Sequence, residues 1–233
     1  MTTPESAGPN AEQSQYWNEV GGPNWVALQE VLDEEHAPLG AVAMDRSEVA
    51  PGERVLDIGC GCGHTSLELA RRVGPGGIVL VIDISTPMLE RAGARAKEAG
   101  VVNVRFENAD AQSFAFEPSE FDLLYSSGAP GPSAFADSGR VRSILEGAGF
   151  ADVAFERLDT TITIGGSGSF DESVRNMLRF GLISRAIRQA NVQDTTEIAA
   201  SLREAVAPYA TPKGVRMKSA CWVVTARRPQ NTG

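Results

Sequence analysis

Arg54-Val-Leu-Asp-Ile-Gly-Cys-Gly-Cys-Gly63 is the stretch on which the reading of this chain turns. A short apolar run ends in a carboxylate, Asp57, and then in glycines at alternate positions, Gly59, Gly61 and Gly63. A helical pattern, Thr65–Arg72, follows, and Asp83 closes the next apolar run. Strand, glycine loop, helix, strand and acid form a nucleoside-gripping unit of an α/β protein. Glycines let the backbone turn tightly and approach a ligand that a Cβ would keep away. A carboxylate at the end of the second strand can accept hydrogen bonds from both hydroxyls of a ribose.

The spacing selects among nucleosides. Dinucleotide binders carry Gly-x-Gly-x-x-Gly, whereas this loop is Asp57-x-Gly59-x-Gly61-x-Gly63. It resembles motif I of the class I S-adenosylmethionine (SAM) dependent methyltransferases. Ile82–Leu89 resembles that family's second strand and turn, Val104–Gln112 its third strand and adenine-contacting acid, and Phe121–Tyr125 the start of its fourth strand. The likeness is close over residues 11–127 and looser over 134–228.

The resemblance implies SAM as cofactor and a set of contacts to it. Asp57 would favour the cationic amino-acid end, with Gly59, Cys60 and Gly61 lining the loop around it. Asp83 would take the ribose, with Ile84 beside it. Met88 would pack on the adenine, Asp110 would accept from its amino group, and the Ala111 N–H would face the ring. Tyr16 and Trp17 resemble an aromatic pair on the family's N-terminal helix, which lies over the cofactor. Each residue has a plainer alternative. Asp57, Asp83 and Asp110 could cap turns, Met88 could be core, and an aromatic pair could simply bury a helix. Cys60-x-Cys62-x-His64 is spaced more tightly than zinc-binding cysteines and lacks a second ligand pair, so no metal site is expected.

Composition narrows the function classes. The net charge is −9, with nine acids and one base in residues 1–50, but five bases and no acid in 205–233. An acidic chain is a poor partner for nucleic-acid phosphates, which favours a small-molecule acceptor. No apolar run is long enough to span a membrane. Met1–Asn10 lacks the basic start and apolar core of a signal peptide and reads as a flexible tail. Three cysteines give no disulfide framework and fit a reducing cytoplasm.

Periodicity predicts a doubly wound, mainly parallel α/β sheet, and the resemblance implies that this Rossmann-like sheet ends in an antiparallel strand. Residues 11–233 read as one domain: a helical cover over 11–50, a cofactor-binding half over 51–127, and a C-terminal half with substrate-covering helices over 128–233. In the cover, Gly21-Gly22-Pro23 should break two short helices, with Asn24 capping the second, and a further helix should span 40–47. Thr65 with Glu68 reads as a capping box, and Thr86-Pro87 as the start of the next helix. The strands are expected at 78–84, 102–107, 121–126, 151–164 and 220–226, with late helices at 138–148, 169–190 and 194–207.

Between residues 127 and 138 there is no room for the helix and fifth strand that the family carries, so an internal deletion is expected. Strand four would then need a new neighbour. Either the last strand pairs with it in a six-stranded sheet, or a second copy covers the edge in a homodimer. In-line methyl transfer needs no protein nucleophile, and no catalytic residue stands out. Two alternatives are a SAM-binding relic without turnover and a nicotinamide-dependent oxidoreductase.

Overall fold

The computed structural model describes residues 10–117, 120–126 and 137–227. The chain opens with α1 (Ala11–Tyr16), a π-helical turn (Trp17–Gly21), α2 (Gly22–Ala27) and α3 (Gln29–Arg46). It continues through β1 (Arg54–Ile58), α4 (His64–Val73), β2 (Ile78–Asp83), α5 (Thr86–Glu98), β3 (Val104–Asn108) and β4 (Leu123–Tyr125). The later part holds α6 (Ser138–Gly147), β5 (Ala151–Ile164), α7 (Phe170–Met177), α8 (Gly181–Gln189), α9 (Thr196–Val206), β6 (Ala210–Thr211) and β7 (Gly214–Arg227).

Two sheets organise these elements. The first is parallel, in the order β3-β2-β1-β4. Val55, Leu56 and Asp57 of β1 are all buried, as expected of a strand covered on both faces. Val55, Val79 and Val81 pack with Leu69, Ala70 and Val73 of α4 and Met44 of α3 into one core. The second sheet is antiparallel, in the order β5-β7-β6. Val215 of β7 meets Val174 and Met177 of α7 and Val206 of α9 in a second core. α3 joins the halves. Its Met44 sits in the first core, while Arg46 forms a two-pronged ion pair with Glu156 of β5 at 2.6 Å.

The parallel, doubly wound half follows the sequence pattern, but among the described residues the six-stranded sheet does not form. β7 pairs with β5 from Thr225 opposite Ala154 to Val215 opposite Ile164, rather than with β4. β4 has three residues, so a partner there would gain a short ladder, whereas β5 and β7 each offer fourteen. The longer ladder satisfies far more backbone groups. Cover of the β4 edge by a second copy is the alternative that this leaves standing.

The N-terminal cover also differs from expectation. Gly21-Gly22-Pro23 does not break the helix. A π turn carries the chain into α2, where Pro23 lies in the first turn and its missing N–H costs little. Asn24 is thus inside α2 rather than at its cap. The helix expected at 40–47 is the end of α3, which runs through Pro38. Residues 169–190, expected as one helix, form α7 and α8, divided before Gly181 at φ +69°. The last strand starts at Gly214 rather than 220.

Candidate functional site

The glycine loop leaves β1 with Gly59, whose N–H donates to the Ile82 carbonyl at 2.8 Å and prolongs the sheet. Gly61 follows at φ +57° and Gly63 at φ +81°, both in the left-handed region. The glycines have different jobs. A Cβ on Gly61 would lie 3.3 Å from the Met88 methyl and 3.7 Å from the Trp25 indole nitrogen. On Gly63 it would strike Ala92 of α5, its Cβ only 2.8 Å away. Gly63 therefore lets the start of α4 pack against α5.

Asp83, 8% exposed, holds this loop. Its Oδ2 accepts the Gly61 N–H at 2.9 Å and its Oδ1 the Ser85 N–H at 2.8 Å. Burial raises its pKa, against the N–H groups of Ser85, Gly61 and Ile84, which lower it. One carboxylate thus ties the glycine loop to the start of α5. Ser85, one residue before the expected Thr86, is the N-cap of that helix. The Thr86 N–H is instead accepted by the Asn18 side chain at 2.9 Å.

Asp57 is fully buried. Its Oδ2 accepts the hydroxyls of Ser66 at 2.6 Å and Thr65 at 3.0 Å. Thr65 thus spends its hydroxyl on Asp57 and forms no capping box; Gly63 is the N-cap of α4. Among the described residues the Asp57 Oδ1 has no partner. Burial pushes the Asp57 pKa up to about 6, against the two hydroxyls, with the Asp83 charge adding to the rise. Opposite it in register on β4 is Tyr125, whose hydroxyl is also buried without a partner among the described residues. Burial, then the Asp57 charge, push that phenol up to about 12.

Both loop cysteines are buried, and burial pushes the Cys62 thiol up to about 12 and the Cys60 thiol well above its ordinary value. Both are neutral thiols, poorly suited as metal ligands or nucleophiles.

Asp110 follows β3. Its Oδ1 accepts the Gln112 N–H at 2.9 Å, an Asx turn that includes Ala111. Both oxygens also accept the Asn10 side-chain amide, at 3.0 Å each. Ile84 offers its carbonyl to the Asn18 amide at 2.8 Å. Met88 is buried on α5 with its methyl at Gly61.

Asp57, Gly59, Cys60, Gly61, Asp83, Ile84 and Met88 therefore converge at the carboxyl ends of β1 and β2, with Asp110 and Ala111 after β3 beside them. Such sites lie where open α/β sheets bind ligands. Tyr16 is turned elsewhere: its hydroxyl accepts from Arg188 of α8 at 3.2 Å, and that guanidinium lies 5.3 Å over its ring. A line of rings runs from Tyr16 through Trp17 and Trp25 to His36. Trp25, rather than Tyr16, is the member that reaches the glycine loop. Nothing in the sequence singles out Trp25, Asn10, Asn18 or Tyr125 for this site.

Comparison with known proteins agrees with this geometry. Residues 55–146 match a family model described as a methyltransferase domain. Aklanonic acid methyltransferase DauC of Streptomyces sp. (strain C5) is 42% identical over 90 residues, 39% of this chain and 41% of its own. Nocamycin O-methyltransferase of Saccharothrix syringae is 38% identical over 90 residues, 39% of this chain and 32% of its own. The chain thus spans well under half the length of these curated relatives. Among solved structures, the YcgJ protein of Bacillus subtilis shares the fold with a TM-score of 0.53 at 16% identity, over 83% of this chain and 100% of its own. Residues 55–146, which carry the glycine loop and its acids, are thus similar to a methyltransferase domain.

Proposed function

We propose that this protein transfers a methyl group from SAM to a small-molecule acceptor by in-line displacement. The observation that carries the reading is Asp83, buried at the end of β2 and bonded to both Gly61 and Ser85. Each of its oxygens has a further lone pair, which suits a ribose diol. The residues present fit the rest of SAM as well. The unpartnered Oδ1 of Asp57 is a buried acceptor suited to an ammonium group, directly or through a water. Gly59 and Gly61, both at positive φ, would line the amino-acid end. Asp110 and the Ala111 N–H would read the adenine, and Met88 would pack on it.

SAM, when bound, supplies an electrophilic methyl group and a neutral thioether as leaving group. The chain's own contribution is then to bind, orient and exclude water. The aromatic line through Trp17 and Trp25 suits that exclusion, and no side chain is assigned a proton-transfer role. A small acceptor is supported by the relatives named for aklanonic acid and nocamycin, and by the acidic charge of −9, which disfavours nucleic acids.

One observation favours a second reading, a SAM-binding protein that does not turn over. The parallel sheet of the described residues ends at β4, while β5 and β7 lie in a sheet of their own. In the family, the strand beyond β4 borders the methyl end of the cofactor. Incubation with SAM labelled in its methyl group and a panel of hydroxyl- and carbon-nucleophile acceptors separates the two. Transfer of label supports the enzyme; SAM binding without transfer across the panel supports the second reading.

A further inference from the structure

The nucleoside cleft is covered by the chain's own N-terminal segment, and the cover is fastened at two points of different character. The inner one is Asn18. Its amide donates to the Ile84 carbonyl at 2.8 Å and accepts the Thr86 N–H at 2.9 Å, so it spans Ser85 from both sides. The Ser85 hydroxyl donates back to the Trp17 carbonyl at 2.8 Å. Gly22 sits so close that a Cβ there would lie 2.4 Å from that hydroxyl. These contacts pin the π turn and α2 to the start of α5 through main-chain groups. They leave the side chains of Asp83 and Asp110 untouched.

The outer fastening is Asn10, and it engages a side chain of the cleft itself. Its planar amide nitrogen lies 3.0 Å from both oxygens of Asp110, on the axis of the carboxylate. An amide NH2 and the exocyclic amine of adenine are the same kind of donor: a planar, uncharged nitrogen with two hydrogens in the plane of its group. Hydrogen bonds to a charged acceptor are stronger than neutral ones, so this contact holds its place against water.

Between the fastenings, α1 is held mainly at its end, where Arg188 bonds the Tyr16 hydroxyl at 3.2 Å and the Asn18 amide bonds the Ser14 carbonyl at 2.8 Å. α1 buries none of its six residues and has no side-chain cap bond. An element with few buried contacts opens at low free energy. The π turn that follows is the irregularity about which it can swing, since such turns interrupt the regular hydrogen-bond ladder of a helix.

We propose that α1 is a gate over the nucleoside end of the cleft, closed in the free protein by Asn10 occupying the adenine amino position on Asp110. The adenosyl ligand must displace Asn10 to reach that carboxylate. Asn18 holds the rest of the cover in place while the gate swings. Ligand and gate are then competitors, and part of the ligand's intrinsic affinity is lost to opening, as for any protein whose competent state is a minor one. This inference rests on the assignment of Asp110 as the adenine acid.

The test is calorimetric titration of the full chain and of its Asn10→Ala variant with S-adenosylhomocysteine, with hydrogen exchange on the wild type. The proposal expects Asn10→Ala to bind about tenfold more tightly, because loss of a charge-assisted hydrogen bond in the closed state favours opening. It also expects the ligand to slow exchange over 59–63 and to quicken it over 11–16. Protection of 59–63 together with equal or weaker binding by Asn10→Ala overturns the gate but keeps the cofactor assignment. Ligand-induced protection of 11–16 does the same. No binding by either folded protein overturns the cofactor assignment, and the gate with it.

Discussion

Asp83 and Gly61, twenty-two residues apart, are joined by a hydrogen bond of 2.9 Å from the glycine N–H to the carboxylate Oδ2. The acid expected to face the ribose therefore also shapes the loop expected to face the amino-acid end. Asp83→Ala should lower the affinity for SAM by about 1–3 kcal/mol, the scale of a lost hydrogen bond to a charged group. It should also lower thermal stability, because the Gly61 and Ser85 N–H groups lose their acceptor. Titration well below the unfolding midpoint separates the two effects. Unchanged affinity in the folded variant would remove the ribose assignment.

Asp57 should make stability and binding depend on pH in opposite senses. Its folded pKa, about 6, lies above the ordinary carboxylate value, so the folded state binds the proton more tightly than the unfolded chain. The stability contribution is complete below about pH 4 and is lost as pH rises through about 6, on the order of 3 kcal/mol. Asp57→Asn should flatten the fall in melting temperature between pH 4.5 and 7.5. An ammonium group prefers the ionised acid, so wild-type affinity for S-adenosylhomocysteine should rise from pH 5 to 7. An affinity flat across that range would detach Asp57 from the ammonium group.

The Tyr125 hydroxyl is a buried polar group without a partner among the described residues, a state that ordinarily costs about 1–3 kcal/mol. Tyr125→Phe should therefore leave the protein as stable as the wild type or more so in thermal unfolding. A clear loss of stability would mean that the hydroxyl is bonded, with a water between it and the Asp57 Oδ1 the first candidate.

Gly63→Ala adds a Cβ 2.8 Å from that of Ala92 at a backbone φ of +81°. Steric overlap and left-handed strain together should cost about 2–4 kcal/mol. Gly63→Ala/Ala92→Gly removes the overlap but not the strain, and should recover only part of the loss in chemical denaturation. Full recovery would show that the left-handed conformation carries no cost here.

The cofactor half was legible because its signals are local. Alternating glycines, the apolar runs of β1 and β2 and the acids that close them fix the loop and its register within thirty residues. The N-terminal cover was not, since Gly21-Gly22-Pro23 is a helix breaker unless a π turn absorbs it. That choice depends on Ser85 reaching Trp17 and Thr86 reaching Asn18, each pair sixty-eight residues apart. The length of β7 had a signal that was easy to miss: Val215, Met217, Ser219, Cys221 and Val223 all point one way, but small and polar members weaken the alternation. Its pairing with β5 rather than β4 is a competition between ladders of unequal length, which no local window contains.

The most direct measurement is a calorimetric titration of the full chain with SAM, with S-adenosylhomocysteine and, as control, with NAD. The account predicts that both adenosyl ligands bind at a single site and that NAD does not. Binding of NAD, or of none of the three by a folded protein, would contradict it.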